Sequence, residues 1–203
     1  MVTIIIIIIT CLVSIYFTGN KKGISKMMFN AYLVWYGKQW YRMLSSGLVH
    51  AGIAHLAFNM LTLYFFGPIV EEYFSYYFGV TMGKAVFIFF YISAIAVASL
   101  ADLWKFRDNP GYNALGASGA VSAVLFAAIL FEPTMGISIF FVPFFIPAYI
   151  FAPLYLAYCW YMAKANVDNI GHTAHFCGAL YGLVFPLVFK PQIFTDLLNY
   201  YLY

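Results

Sequence analysis

Charged side chains are scarce in this sequence: Lys, Arg, Asp and Glu together make up 8% of its 203 residues. A soluble globular domain carries roughly 25% charged residues, so a water-soluble fold of this size is excluded. The net charge of +3 is too small for the dense basic face that nucleic-acid binding needs. Hydrophobic residues reach 65%, which excludes intrinsic disorder. An integral membrane protein remains.

Cysteine is also rare. The three cysteines, Cys11, Cys159 and Cys177, lie in apolar segments, and none of them belongs to a CxxC motif. This spacing assigns them no redox or metal role. We therefore predict neither a metal nor a cofactor.

Long segments without any Asp, Glu, Lys or Arg occupy most of the chain. They cover residues 1–20, 43–70, 85–101, 109–131, 133–163 and 169–189. Because about 20 helical residues cross a bilayer, we interpret each segment as one span. The sequence predicts an all-α membrane protein, with six transmembrane helices in a single domain over residues 1–203. The loop of about residues 19–42 alternates Trp and Tyr with basic residues, which predicts a position at the membrane interface.

All four histidines lie near the starts of two of these segments. His50 and His55 belong to the second segment, and His172 and His175 to the sixth. Asn59 follows His55 by four residues, so the two side chains share one helical face. Because a polar side chain is costly in hydrocarbon, each of these residues is a candidate functional residue.

A serine lies near the start of the fourth segment, in the sequence Gly116-Ala117-Ser118-Gly119. The N-terminus of a helix has unpaired backbone N–H groups and the positive end of the helix dipole, which together can stabilise an oxyanion. The alternative is that Ser118 is an N-cap, which is the commoner role of a lone serine there.

The order of the spans brings these polar groups together. The second, fourth and sixth segments cross in the same direction, so His55, Ser118 and His175 are expected at similar depth. Small residues at four-residue spacing predict close packing of the fourth and sixth helices. They are Gly119, Ala123 and Ala127 in the fourth segment and Ala174, Gly178 and Gly182 in the sixth. A hydroxyl and an imidazole on two such helices predict a nucleophile with a general base. No carboxylate is predicted beside the imidazole, so the pair is a dyad.

Three motifs in this order resemble those of the rhomboid intramembrane serine proteases. Residues 50–59 read HxxxxHxxxN, residues 116–119 read GxSG, and residues 174–182 read AHxxGxxxG. The resemblance covers residues 40–182. It implies a rhomboid-like bundle of six helices with serine endopeptidase activity on single-span transmembrane proteins.

The resemblance also implies the roles of individual residues. Ser118 would attack the scissile carbonyl with His175 as its base, and an oxyanion hole would form from the Ser118 backbone N–H and the side chains of His55 and Asn59. Structural roles near the site are implied for His50, Gly116, Gly119, Gly178 and Gly182. Glu71 matches a glutamate that fixes contacts between helices, and the fifth span, with Pro143, Pro147 and Pro153, matches a lateral gate.

Two positions depart from the family pattern. Tyr41-Arg42 stands where the family usually has Trp-Arg, and Ser122 stands where the family often has an aromatic residue on the catalytic imidazole. One interpretation is that a tyrosine of a neighbouring span holds His175 instead. His172, one turn earlier, is the competing candidate for the base.

The orientation in the membrane is predicted in two opposite ways. The resemblance implies a multi-pass protein of a bacterial inner or plasma membrane, with its active site facing the outer side. The loops on that side hold eight Lys and Arg residues, however, against two on the other side, and the positive-inside rule predicts the reverse. We follow the resemblance.

Two other classes of function compete with the protease. One is a rhomboid-like pseudoprotease that binds transmembrane clients without cleaving them, although such proteins lack the serine or the histidine that this sequence retains. The other is a metal or haem carrier built from the four histidines. Only His172 and His175 could share a helical face, and no acidic ligand is expected nearby, so the sequence disfavours a carrier.

Overall fold

The computed structural model describes residues 1–138, 144–165, 168 and 170–202. These residues are mostly helical. The helices are α1 (Val2–Phe17), α2 (Lys21–Met27), α3 (Ala31–Trp35), α4 (Arg42–Ser45), α5 (Ile53–Phe78), α6 (Val80–Phe106), α7 (Ser118–Phe131), α8 (Ala148–Ala165), α9 (His172–Phe189) and α10 (Gln192–Leu202). A 3₁₀ turn covers Ser46–Leu48. The strands are β1 (Phe29–Asn30), β2 (Asn113–Ala114), β3 (Gly136–Ser138) and β4 (Phe145–Pro147), paired antiparallel as β1–β2 and β3–β4.

Three helices in the described part of the chain are long and apolar enough to cross a membrane, namely α5, α6 and α9. Helices α1 and α7 are apolar but shorter, with 16 and 14 residues. The chain is therefore an integral membrane protein, while the count of six transmembrane helices stays a prediction.

Helix α1 buries polar side chains and exposes apolar ones, the reverse of the pattern in a helix of a soluble protein. Its buried face carries Thr3, Thr10 and Ser14, whereas large apolar side chains such as Ile5 and Leu12 are exposed. A soluble helix would bury its apolar stripe. The reversed pattern is expected when lipid surrounds the bundle and polar groups seek partners inside the protein.

The second segment differs from its prediction. Residues 43–70 do not form one helix, because α5 begins only at Ile53 and continues past Glu71 to Phe78. The buried Glu71 is tolerated because it caps α1: its carboxylate accepts the backbone N–H groups of Val2 at 2.7 Å and Thr3 at 3.0 Å, and the Thr3 hydroxyl at 2.9 Å. Charged groups at the end of a helix dipole are stabilised in this way. Glu71 therefore joins α1 to α5.

The fifth segment, residues 133–163, is also not a single helix. The β3–β4 pair occupies its first half, and α8 begins only at Ala148. The strands direct the chain into α8, because the N–H of Ala148 donates to the carbonyl of Met135 and the N–H of Tyr149 to that of Pro133. The predicted gate prolines are divided, since Pro147 ends β4, Pro153 lies inside α8 and Pro143 lies outside the described residues. The described residues are nevertheless mostly helical, as the all-α prediction states, and the two short strand pairs are the exception.

The remaining segments differ mainly at their ends. Residues 85–101 lie within the longer α6, while 109–131 and 169–189 begin before α7 and α9, respectively. Helix α6 continues beyond both ends of the uncharged segment and includes the charged residues Lys84 and Asp102. Helix α10, after the sixth segment, was not predicted.

The loop of residues 19–42 is a folded element. It contains α2, α3 and β1, and β1 pairs with β2 in the loop that leads to α7. Arg42 was expected at the interface but is buried, where its guanidinium donates to the carbonyls of Ser25 and Met28 and to the side chain of Gln39. The aromatic residues Tyr36, Trp40 and Tyr41 remain exposed.

Helix α7 is the centre of the bundle. Residues 119–129 are all buried, and the helix is surrounded by α5, α6, α8 and α9. Aromatic rings fill the core at its C-terminal end, including Phe74, Phe90, Phe131 and Phe185. The N-terminal end of α7 carries Ser118.

Candidate active site

Ser118 is the first residue of α7 and follows a tight turn. Gly116 has φ +114°, a backbone conformation that L side chains rarely adopt, and this turn precedes the start of the helix. The Ser118 side chain is half-buried. The first N–H groups of a helix have no intrahelical acceptor, so backbone donors and the positive helix end surround the hydroxyl.

His50 forms a hydrogen bond with the backbone of this turn. Its Nε2 accepts the backbone N–H of Ala117 at 3.2 Å, and its Nδ1 lies 2.8 Å from the hydroxyl of Ser14. Because Nε2 accepts, Nδ1 carries the proton and donates to Ser14, whose hydroxyl donates to the carbonyl of Leu48 at 2.8 Å. The buried ring thus connects α1 to the residue before Ser118.

Helices α7 and α9 pack at contact distance along their small residues. A Cβ at Gly178 would overlap the carbonyl oxygen of Gly119, and a Cβ at Gly182 would overlap that of Ala123. The predicted contact between the two stripes is present. Ser118 and His175 flank these stripes at the same end, but no hydrogen bond joins them in the described structure. The packing brings their helices together, and the bond itself stays a prediction.

His55 and Asn59 lie on α5 beside the Gly116 turn. A Cβ at Gly116 would be 2.5 Å from Cε1 of His55, so the imidazole lies directly against the turn, and its centroid is 5.1 Å from that of His50. Asn59 is buried, and its Nδ2 donates to the carbonyl of His55 at 2.9 Å. An amide nitrogen carries two donors, so one N–H of Asn59 is left for a ligand.

The tyrosine contacts of the site differ from the interpretation given above. The hydroxyls of Ser122 and Tyr155 form a hydrogen bond of 2.9 Å, and Tyr158 packs edge-to-face on His172, with centroids 5.5 Å apart. The ring of His172 lies next to that of His175, with centroids 6.0 Å apart. Ser122 therefore joins α7 to α8 through Tyr155.

His172 has a different environment from His175. It is buried, and its Nε2 lies 3.1 Å from a carboxylate oxygen of Asp168. This hydrogen bond holds the pKa of the Asp168 carboxyl below its usual range. The sequence expectation that no acidic group lies nearby is wrong, because Asp168 precedes His172 by four residues and folds back onto it.

Cys159 of α8 is a third side chain here that sequence reasoning missed. Its sulfur and one ring nitrogen each of His172 and His175 all lie within 4.8 Å of one another. The spacing of Asp168 and His172 could have suggested their contact, but no sequence signal places a cysteine of α8 beside α9.

Comparison with known proteins gives a consistent result. Residues 37–192 match the family model described as Rhomboid domain. The chain is 30% identical over 148 residues to rhomboid protease GluP of Bacillus subtilis, covering 70% of this chain and 25% of that protein. It is 29% identical over 145 residues to RHOMBOID-like protein 12, mitochondrial, of Arabidopsis thaliana, covering 68% of this chain and 43% of the relative. The chain thus spans less than half the length of these relatives.

Proposed function

The chain belongs to the rhomboid family, and from this premise we propose that it is an intramembrane serine endopeptidase. Its substrates are single-span membrane proteins, cut in or next to the transmembrane helix. No metal or cofactor takes part in the proposed reaction. The observation that carries the proposal is the close packing of α7 on α9 at Gly119 and Gly178, which sets Ser118 and His175 at the same end of two touching helices.

In the proposed mechanism the hydroxyl oxygen of Ser118 attacks the scissile carbonyl while His175 accepts its proton. The protonated imidazole then gives this proton to the leaving amine, and an acyl-enzyme remains on Ser118. Water, deprotonated by His175, attacks the ester, and the C-terminal acid of the cut product leaves as Ser118 recovers its proton. Asp168 contacts His172, so the reaction runs with a dyad.

The negative charge of the tetrahedral intermediate needs donors near Ser118. We assign this role to the Ser118 backbone N–H and to the side chains of His55 and Asn59. The contact of His55 with the Gly116 turn supports the assignment. Asn59 contributes its second amide N–H, since the first donates to the carbonyl of His55.

The substrate helix must unwind before its backbone can reach Ser118. Segments with Gly or Pro near the cut unwind most easily, because these two residues have the lowest helix propensities. We place the site on the outer side of the membrane. Accessibility labelling of single cysteines introduced into the exposed positions Lys38 and Trp40 tests this orientation, and labelling only from the cytoplasmic side would reverse it.

Cleavage of a single-span reporter in lipid vesicles tests the function. The chain with Ser118→Ala is expected to leave the reporter intact. Ser99→Ala is the matched control, because among the described residues the Ser99 hydroxyl donates only to the carbonyl of Ile95 in its own helix. This variant should cut at the rate of the unaltered chain. Equal cleavage by Ser118→Ala and the unaltered chain would refute the assignment.

The same system separates the protease from a pseudoprotease. A pseudoprotease is the second candidate because no hydrogen bond joins Ser118 and His175 among the described residues. It predicts that the unaltered chain binds the reporter, leaves it uncut, and fails to react with a fluorophosphonate probe. A protease reacts with this probe at Ser118 even when the correct substrate is unknown.

A further inference from the structure

Three side chains that can bind a metal ion meet beside the proposed base. Cys159 approaches from α8, while His172 and His175 lie on α9, three residues apart. The cysteine sulfur and one ring nitrogen of each histidine are all within 4.8 Å of one another. Cys159 and His172 are buried. A tetrahedral zinc ion separates its sulfur and nitrogen ligands by about 3.5 Å. Modest side-chain rotations would therefore bring the three ligand atoms to the distances that zinc requires.

His172 is arranged as a metal ligand. Its side chain is 4% exposed, and Nδ1 has no hydrogen-bond partner in the described structure. A buried polar atom without a partner costs about 1–3 kcal/mol. The other nitrogen, Nε2, lies 3.1 Å from the Asp168 carboxylate. Histidines that bind metals commonly present one nitrogen to the ion and give the other to a carboxylate, which orients the ring.

From this arrangement we propose that Cys159, His172 and His175 bind a zinc ion, and that the bound ion switches the protease off. The ligand set of one thiolate and two imidazoles suits Zn²⁺ better than Mg²⁺ or Ca²⁺, which require oxygen ligands. Water completes the fourth position. The inhibitory half of the inference rests on the proposed function, whereas the metal site does not.

The charges balance without further groups. Binding releases the thiol proton of Cys159 to the solvent, because the thiolate is the ligand. The dication, the thiolate and the Asp168 carboxylate then sum to zero. Asp168 is exposed, so its carboxylate offsets the charge of the ion from beside His172 and is not itself a buried charge.

Metal binding and catalysis compete for the same imidazole. A dication on either ring nitrogen of His175 draws electron density from the ring and lowers the basicity of the other nitrogen. The ring then no longer accepts the proton of Ser118. Zinc inhibition should therefore be reversible by a chelator, and it should depend on Cys159, which has no part in the proposed catalytic steps.

Cobalt titration measures the site without any need for activity. The tag-free chain with Ser118→Ala, in detergent, is titrated with Co²⁺, and the thiolate-to-cobalt charge-transfer band is recorded in the near ultraviolet. We expect saturation at one equivalent and loss of the band when Zn²⁺ is added. Adding Cys159→Ala should abolish the band, and adding Asp168→Asn should weaken binding about tenfold or more. Adding Cys177→Ala, the matched control, should change nothing. A band that persists without Cys159, or no saturable band at all, overturns the proposal.

The inhibitory half is tested on the chain with native Ser118. Its labelling rate with a fluorophosphonate probe is expected to fall at least about tenfold in Zn²⁺ and to recover in EDTA, with the Cys177→Ala chain behaving identically. In the Cys159→Ala chain, compared with its own zinc-free rate, Zn²⁺ should have no effect. A chain that binds cobalt as expected but never labels contradicts the proposed function and leaves the metal site standing. A chain that labels at the same rate with and without zinc overturns the inhibition and leaves the proposed function standing.

Discussion

Alanine at Gly178 is expected to slow the chemistry by pushing α9 away from α7. The added Cβ would overlap the carbonyl oxygen of Gly119 and lie 2.8 Å from its carbonyl carbon. Carbon atoms in good contact are about 3.5–4.0 Å apart, so the two backbones must separate by about 0.7 Å or more. The obstacle is backbone within a helix and cannot rotate aside as a side chain could.

The expected magnitude follows from this displacement. Overpacking of this kind lowers the free energy of unfolding by about 1–3 kcal/mol. Moving reacting groups by about 1 Å can reduce a rate about 100-fold, which corresponds to about 2.7 kcal/mol in activation free energy. Ser118 and His175 lie at the same end of this contact, so Gly178→Ala should lose about two orders of magnitude in labelling rate while remaining folded.

The assay compares the fluorophosphonate labelling rate with the thermal unfolding midpoint of each variant in the same detergent. Gly171→Ala, at the N-cap of α9, is the matched control, because a Cβ there meets only Ala174 Cβ at 3.8 Å, an ordinary contact. The Gly171→Ala variant should change neither the labelling rate nor the unfolding midpoint by much. Labelling of Gly178→Ala at the unaltered rate would refute the view that this contact positions the reacting groups.

Two further predictions concern residues around the site. Glu71→Ala leaves the N–H groups of Val2 and Thr3 without their carboxylate acceptor, and it should lower the free energy of unfolding by about 3 kcal/mol; an unchanged unfolding midpoint would contradict the capping role. Gly116→Ala combines an unfavourable φ of +114° with a Cβ only 2.5 Å from the His55 ring, and it should slow labelling about tenfold or more. Labelling at the rate of the unaltered chain would show that the reaction does not depend on the position of the His55 ring against the Gly116 turn.

The helical core was predictable because apolar runs without charges are long enough to span a bilayer. The boundaries of the helices were harder to predict from the sequence. Glu71 was treated as the end of a span, yet α5 continues past it because the N-terminus of α1 supplies three donors to the carboxylate. The family resemblance implies that Glu71 fixes contacts between helices, but only the tertiary structure identifies Val2 and Thr3 of α1 as its partners.

The fifth segment shows a different limit. Residues 133–163 contain no charge to mark a boundary, and a continuous apolar run does not separate a strand from a helix. The β3–β4 pair depends on cross-strand pairing, with Gly136 opposite Pro147 and Ile137 opposite Ile146, which a sequence without alternating polarity does not reveal.

The contact between α7 and α9 was predicted from the small residues alone. Gly178 against Gly119 and Gly182 against Ala123 lie where the four-residue spacing puts them. The role of Ser122 was not foreseeable, because its partner Tyr155 comes from α8. The cluster of Cys159 with His172 and His175 was missed for the same reason, since side chains from two helices meet only after packing.

If His175 activates Ser118, as proposed, the labelling rates of two histidine variants must differ. Both are measured in EDTA, with the modified peptide identified by mass spectrometry. We predict an adduct on Ser118 whose formation slows about 10²- to 10⁴-fold in His175→Ala and less than about tenfold in His172→Ala. The reverse order, or an adduct on another residue, would contradict it.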